Sequence, residues 1–293
     1  MSSIRLDREC CVRVAHPLQR LLWSDRTSAI PILMYHGIRE SAGSDHPYYE
    51  LHTSPAVFES HLHYLHREGY TTVDLDEALD IVSTRRNVRK TVAITFDDGY
   101  LDFYSHALPI LLEFGFTATV FVIPEFVRSA NPADEHRAYM SWAEIREIHE
   151  AGIRIGSHSM SHADLQQLTP REVDRELGLS RLTIEDKLGC EVRSFSYPYS
   201  FPEHNRSFVQ QMHECLQVRG YRHAVSTILG SANESSDRFH LPRLPINAHD
   251  DLLFLAAKLE GAYDWMHVAQ STRKLFMQIT RSKPQHTVPI TTS

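Results

Sequence analysis

Short β-branched apolar runs alternate with longer amphipathic stretches along most of these 293 residues, and no other feature limits the fold as much. Val92-Ala93-Ile94-Thr95-Phe96 lacks the polar alternation of a half-exposed strand, so it must be covered on both faces, as parallel strands are. Thr117 to Ile123 reads the same way, and Ile30 to Tyr35, Thr71 to Val73, Ile153 to Gly156, Ser194 to Tyr197 and His223 to Thr227 are shorter strand candidates. Helices separate them. Ser54-Pro55 opens one whose stripe is Phe58, Leu62 and Leu65, and Gly69 ends it. Others run from Asp74 to about Val82, through Leu101, Leu108, Leu111 and Leu112 to Gly115, from Trp142 to Glu150 with Ser141 as cap and Gly152 as stop, from Pro170 to Leu188, and from Ser207 to Val218. Strand–helix repetition of this kind builds a parallel sheet wrapped by helices. A count of about seven strands favours a closed or nearly closed barrel over an open doubly wound sheet.

The expected layout is residues 1–29 as an N-terminal leader or extra helix, 30–250 as the barrel, and 251–293 as a C-terminal helix and loose tail. Ser41 to Thr53 and Arg85 to Lys90 read as loops, and Leu252 to Trp265 as an amphipathic helix packed on the barrel rather than on a membrane. A net charge of -7 leaves no basic footprint for nucleic acid. Cys10, Cys11, Cys190 and Cys215 contain no Cys-x-x-Cys pair and suggest a reducing compartment. With no early apolar stretch and no run long enough to span a bilayer, a cytoplasmic protein is expected. Strand-to-helix junctions carry no Gly-rich phosphate loop. Oligomeric state is not legible.

Three stretches carry candidate chemistry. Thr95-Phe96-Asp97-Asp98-Gly99 puts two carboxylates at the end of a buried strand, where their charge needs compensation. Neighbouring strand residues face opposite ways, but Gly99 lets the backbone turn so that both reach one cleft. In isolation such a pair is more readily a surface turn that caps the next helix. His158-Ser159-Met160-Ser161-His162 holds the one pair of histidines four apart, a spacing that about one pair would show by chance with 19 His. Its place at a strand end counts for more. One helical turn would bring both rings to one face, and two imidazoles with one carboxylate suit Zn²⁺. Phe195-Ser196-Tyr197-Pro198-Tyr199-Ser200 is a third strand ending in a turn.

Together, in this order, these motifs resemble the polysaccharide deacetylase family, metal-dependent carbohydrate esterases built on the chitooligosaccharide deacetylase homology domain; the resemblance spans about Pro31 to Pro245. It implies a single-domain, distorted (β/α)₇ barrel acting on an N-acetylated carbohydrate. Asp98, His158 and His162 would bind the metal, Asp97 would be the base, and the Tyr199 backbone N–H would meet the oxyanion. Two departures stand out. Ser196 occupies the position where the family carries an Arg that orients the base. The Phe-x-Tyr-Pro-Tyr form and Leu241-Pro242-Arg243 resemble the exopolysaccharide branch, which offers Arg243 for that charge, with Arg193 second and an ordinary surface Arg as an equal reading. The late Leu-x-His segment that supplies the acid is missing. In circularly permuted relatives the equivalent strand opens the domain, as Leu33-Met34-Tyr35-His36 does here, so the resemblance offers His36, its pKa raised by a carboxylate neighbour. Amide hydrolysis on a non-sugar substrate, or an inactive carbohydrate-binding barrel, remain alternatives.

Overall fold

The computed structural model describes residues 5–22, 29–40, 50–84, 90–127 and 138–272. Most of the Ser41–Thr53 and Arg85–Lys90 loops and the tail beyond 272 lie outside them. Strands β1 (Ile32–Tyr35), β2 (Gly37–Ile38), β3 (His52–Thr53), β4 (Thr71–Val73), β5 (Thr91–Phe96), β6 (Thr119–Val122), β7 (Arg154–Ser157), β8 (Ser194–Ser196), β9 (His223–Leu229) and β10 (Leu241–Pro245) follow one another along the chain. Parallel pairing runs β5-β6-β7-β8-β9-β10-β1, and β1 pairs back onto β5 (Ile32 beside Ala93, Tyr35 beside Phe96). Seven strands therefore close the barrel. The short β4 pairs with the start of β5 through Thr71 beside Thr91, on the edge that β6 takes over at Thr95. β2 and β3 form a separate two-stranded ladder.

Strand β10 was not expected as a strand. Pro242 and Pro245 interrupt it, and proline lacks the ladder donor; the register against β9 shifts between Leu241 and Arg243, which absorbs the defect. Through β10, the first strand of the chain meets its late segment: Leu33 lies beside Leu244.

Helices α1 (Leu6–Cys10) and α2 (His16–Leu22) are joined by a π-helical turn at Cys11–Ala15. α3 (Pro55–Arg67), α4 (Leu75–Ser83), α5 (Leu108–Glu113), α6 (Trp142–Glu150), α7 (Pro170–Leu188), α8 (Arg206–Val218) and α9 (Leu252–Leu259) complete the set. Their caps are local chemistry: Ser54, Asp74 and Asp251 each accept an N–H of the first turn, while Ser141 with Glu144 and Thr169 with Glu172 form capping boxes. A π-helical turn at Phe103–Ala107 shifts the buried face before α5. Phe103, Ala107, Leu108 and Leu111 are buried, while Leu112, expected in the stripe, is 49 % exposed.

Side chains of α4 (Leu75, Ala78, Ile81 and Val82) join Ile32, Ala93, Phe121, Val225 and Leu241 in one apolar cluster that plugs one end of the barrel. Gly156 makes room for that plug, since a Cβ there would sit 2.5 Å from the Phe121 ring. α9 packs through Phe254, Leu255, Ala257 and Leu259. Its buried Lys258 pairs with Asp250 at 3.0 Å, and Arg5 and the Asp7–Tyr263 contact tie the N-terminal helix to the same region. All four cysteines are free thiols. Among the described residues no helix is long and apolar enough to cross a membrane.

Candidate active site

The ends of β5, β7, β8 and β1 converge beyond the plug. Alternation along β5 puts Ala93 in the plug and Thr95 and Asp97 above it, on the same face. Asp97 is 3 % exposed, and Arg243 from β10, fully buried, grips both of its oxygens. NH1 donates to Oδ1 at 2.8 Å and NH2 to Oδ2 at 2.7 Å. Arg243 also donates to Ser226 O, Thr95 Oγ1 and Ser196 Oγ, so all five of its N–H donors are used. Ser196 Oγ in turn donates to Asp97 Oδ1 at 3.1 Å. The guanidinium that meets Asp97 is thus Arg243; Arg193 instead pairs with Asp76 and Glu191. Burial pushes the Asp97 carboxyl up, but the Arg243 charge, His158 and the Arg243 hydrogen bonds outweigh it and hold it well below the usual carboxylate range.

Asp98 reaches the same cleft because both it and Gly99 are left-handed, with φ of 75° and 70°. A non-glycine residue in that region is strained. The non-glycine residues with positive φ among those described are Lys90, Asp98, Ser159, His162 and Tyr199, and all but Lys90 surround this cleft. The expected helical turn between the two histidines is therefore not what joins them. The chain leaves β7 in an irregular loop, left-handed at Ser159 and His162 and bent between them at Met160 and Ser161. Glu176 of α7 holds that loop by accepting the N–H groups of Met160 and Ser161 and the Ser161 hydroxyl. Sequence reasoning passed over Glu176, which looks like any polar position of a long amphipathic helix.

His158 Nε2 lies 3.4 Å and His162 Nε2 3.5 Å from Asp98 Oδ1. Donors about 2.0–2.1 Å from a tetrahedral ion stand about 3.3 Å apart, so the three residues fit a shared cation. The second contact of His158 fits as well. Its Nδ1–H donates to the Ser196 carbonyl at 2.8 Å, which leaves the Nε2 lone pair of the neutral ring facing Asp98. Burial lowers the His158 pKa, yet Asp97 and Asp98 more than compensate and it ends raised. His162 is lowered by burial and by the His158 charge.

His36, one residue past β1, sits with Nε2 4.0 Å from Asp97 Oδ2. Its pKa was expected to rise beside a carboxylate, but it is lowered, because the desolvation of the imidazolium outweighs Asp97 and Asp98. Tyr199 packs its ring on His162 at 4.8 Å and is 56 % exposed; among the described residues nothing accepts its N–H.

A closed parallel barrel whose strand ends gather an Arg-clamped carboxylate, a facing histidine and three donors that could hold a cation is the arrangement expected of an α/β-barrel deacetylase. The comparisons with known proteins agree. The sequence model of the polysaccharide deacetylase family matches residues 84–217. YxkH of Bacillus subtilis (strain 168), named as a polysaccharide deacetylase, is 29% identical over 225 residues, 76% of this chain and 74% of that protein. The chitooligosaccharide deacetylase of Rhizobium leguminosarum bv. phaseoli is 36% identical over 90 residues, 30% of this chain and 35% of that protein. The Streptococcus pyogenes deacetylase PplD, solved in complex with acetate, superposes with a TM-score of 0.69 at 25% identity, covering 79% of this chain and 98% of that one. Together the family model, the curated relatives and the solved structures support the polysaccharide deacetylase resemblance and a deacetylase function. That family is generally metal-dependent.

Proposed function

We propose that this chain is a metal-dependent hydrolase that removes N-acetyl groups from N-acetylhexosamine units of a polysaccharide or its precursor, within the exopolysaccharide-type branch, with its acid delivered from β1 as in a circularly permuted barrel. The observation that carries the reading is Asp97, clamped by Arg243 with His36 opposite, beside the Asp98, His158 and His162 group.

Asp98, His158 and His162 would hold a divalent ion, Zn²⁺ by donor softness. When bound, it supplies Lewis acidity to the acetamide carbonyl and acidifies a water molecule. Asp97 accepts the proton of the attacking water. Its Oδ1 already takes bonds from Arg243 and Ser196, whereas Oδ2 takes only one from Arg243, so Oδ2 is the basic atom. The Tyr199 N–H donates to the substrate oxygen as it gains charge. His36 Nε2 then protonates the leaving amine, the C–N bond breaks, and acetate and a free amino sugar result. A lowered pKa makes the His36 imidazolium a stronger acid, at the expense of the fraction charged at neutral pH.

Acetate release from N-acetylglucosamine oligomers, after metal removal and Zn²⁺ add-back, tests the reading. Asp97→Asn is expected to abolish turnover with metal content intact, and Asp98→Asn to lose the metal. Metal loss on Asp97→Asn with retention on Asp98→Asn reverses the two roles. Release from simple acetamides but not from oligomers makes the chain a non-sugar amidase.

A further inference from the structure

Away from the cleft, among the described residues, a second set of metal-type donors converges: His213, Asp237 and His240. His213 belongs to α8, while Asp237 and His240 lie in the connection from β9 to β10. His213 Nε2 is 3.3 Å from His240 Nδ1 and 3.2 Å from Asp237 Oδ2, and His240 Nδ1 is 3.7 Å from Asp237 Oδ1. Hydrogen bonding does not account for that triangle. A single ring N–H of His213 would have to serve two acceptors, and the 3.7 Å edge is too long for a hydrogen bond. Charging both rings would set two N–H groups head to head at 3.3 Å. A cation at the centre makes all three contacts favourable, at edges near the about 3.3 Å of a tetrahedral site.

Each member is oriented by contacts outside the triangle. The His240 ring stacks on Phe201 at 5.1 Å and 16°, and His213 rests on Phe239 at 5.4 Å. Asp237 Oδ1 accepts the Phe239 N–H at 2.8 Å. All three side chains stay partly open to solvent, and Asp237 and His240 line a cavity of about 540 Å³ through which water can reach a further coordination position.

We propose that His213, Asp237 and His240 form an accessory site for a divalent transition-metal ion of the Zn²⁺ type. Two imidazoles and one carboxylate select a borderline cation over Mg²⁺ or Ca²⁺. The ion would cross-link α8 to the segment that enters β10, three residues before Arg243, and so brace the strand that grips Asp97. No ligand is shared with the cleft, and the site does not rest on the hydrolase reading.

The test is Zn²⁺ titration of the metal-stripped full chain against a chromophoric chelator, with elemental analysis after gel filtration. Wild type is expected to bind two equivalents and His213→Gln one, with acetate release by the variant within about twofold of wild type. A His213→Gln variant that binds as many equivalents as wild type overturns the proposal, whatever the cleft holds. Should His213→Gln not fold, Asp237→Asn, whose carboxylate is the most exposed member, gives the same count. Failure of the cleft ion would show separately, as no loss of zinc in Asp98→Asn.

Discussion

Replacing Arg243 with Met removes the guanidinium that grips both oxygens of Asp97 and keeps the site filled by an apolar side chain of similar length. Asp97 is then left 3 % exposed with the Ser196 hydroxyl as its remaining neutral donor. Breaking a buried pair by removing one partner costs about 3–5 kcal/mol, because the other charge is stranded. The contacts of Arg243 with Ser226, Thr95 and Ser196 go at the same time, which argues for the upper part of that range. At about 2 °C per kcal/mol for a chain of this length, Tm should fall by roughly 6–10 °C. Denaturant unfolding of metal-stripped protein isolates this from ion content. Asp97→Asn combined with Arg243→Met removes both charges, so the double variant should be more stable than the sum of the two single losses predicts. Arg243→Lys should not rescue activity, since an ammonium cannot hold two carboxylate oxygens in one plane. Turnover in Arg243→Met should drop by about 10²-fold with KM little changed, because the base is misaimed while the substrate contacts remain. A loss below about 1 kcal/mol, or strict additivity in the double variant, would refute the claim that stranded charge governs this pair.

His36→Ala should lower kcat by roughly 10²–10⁴ with metal content and fold retained; near-normal acetate release would remove His36 from the acid role. Asp76, held at about 2 by its hydrogen bond to His223 against the cost of burial, with Arg193 adding to the effect, has a pKa below its unfolded value. Its contribution is therefore complete above about pH 4 and is lost as pH falls toward 2. With the side chain 36 % exposed, screening trims the effect to about 1 kcal/mol, so Asp76→Asn should cost that at pH 7 and nothing near pH 2 by urea unfolding. A pH-independent difference would contradict the assignment. Gly156→Ala forces a Cβ within 2.7 Å of the Phe121 ring and Ser194 Oγ, and should cost about 1–3 kcal/mol in thermal unfolding; an unchanged Tm would mean that the interior has slack.

Much of this molecule was legible because its signals are local. Apolar runs without alternation could become only buried strands, and Ser141 as cap and Pro170 as first residue sit at the starts of their helices, so α6 and α7 were readable to the residue. The Asp-Asp-Gly and His-x-x-x-His motifs were legible for the same reason: each is a few residues at one strand end. What the sequence could not decide was any pairing across the barrel. Two prolines hid β10, and with it the strand that brings Arg243 146 residues along the chain to Asp97. The family resemblance ranked Arg243 above Arg193 but left a surface Arg as an equal reading, and burial beside Asp97 was visible only once β1 closed onto β5 and β10. The His158–His162 turn is set by left-handed residues braced from α7, against the helical spacing that the sequence suggests. The His36 pKa depended on burial, which no neighbour in sequence reveals. Local composition determined the elements and the candidate chemistry. Tertiary closure alone decided which charges meet, because electrostatics and desolvation act through space and only the folded barrel sets those distances.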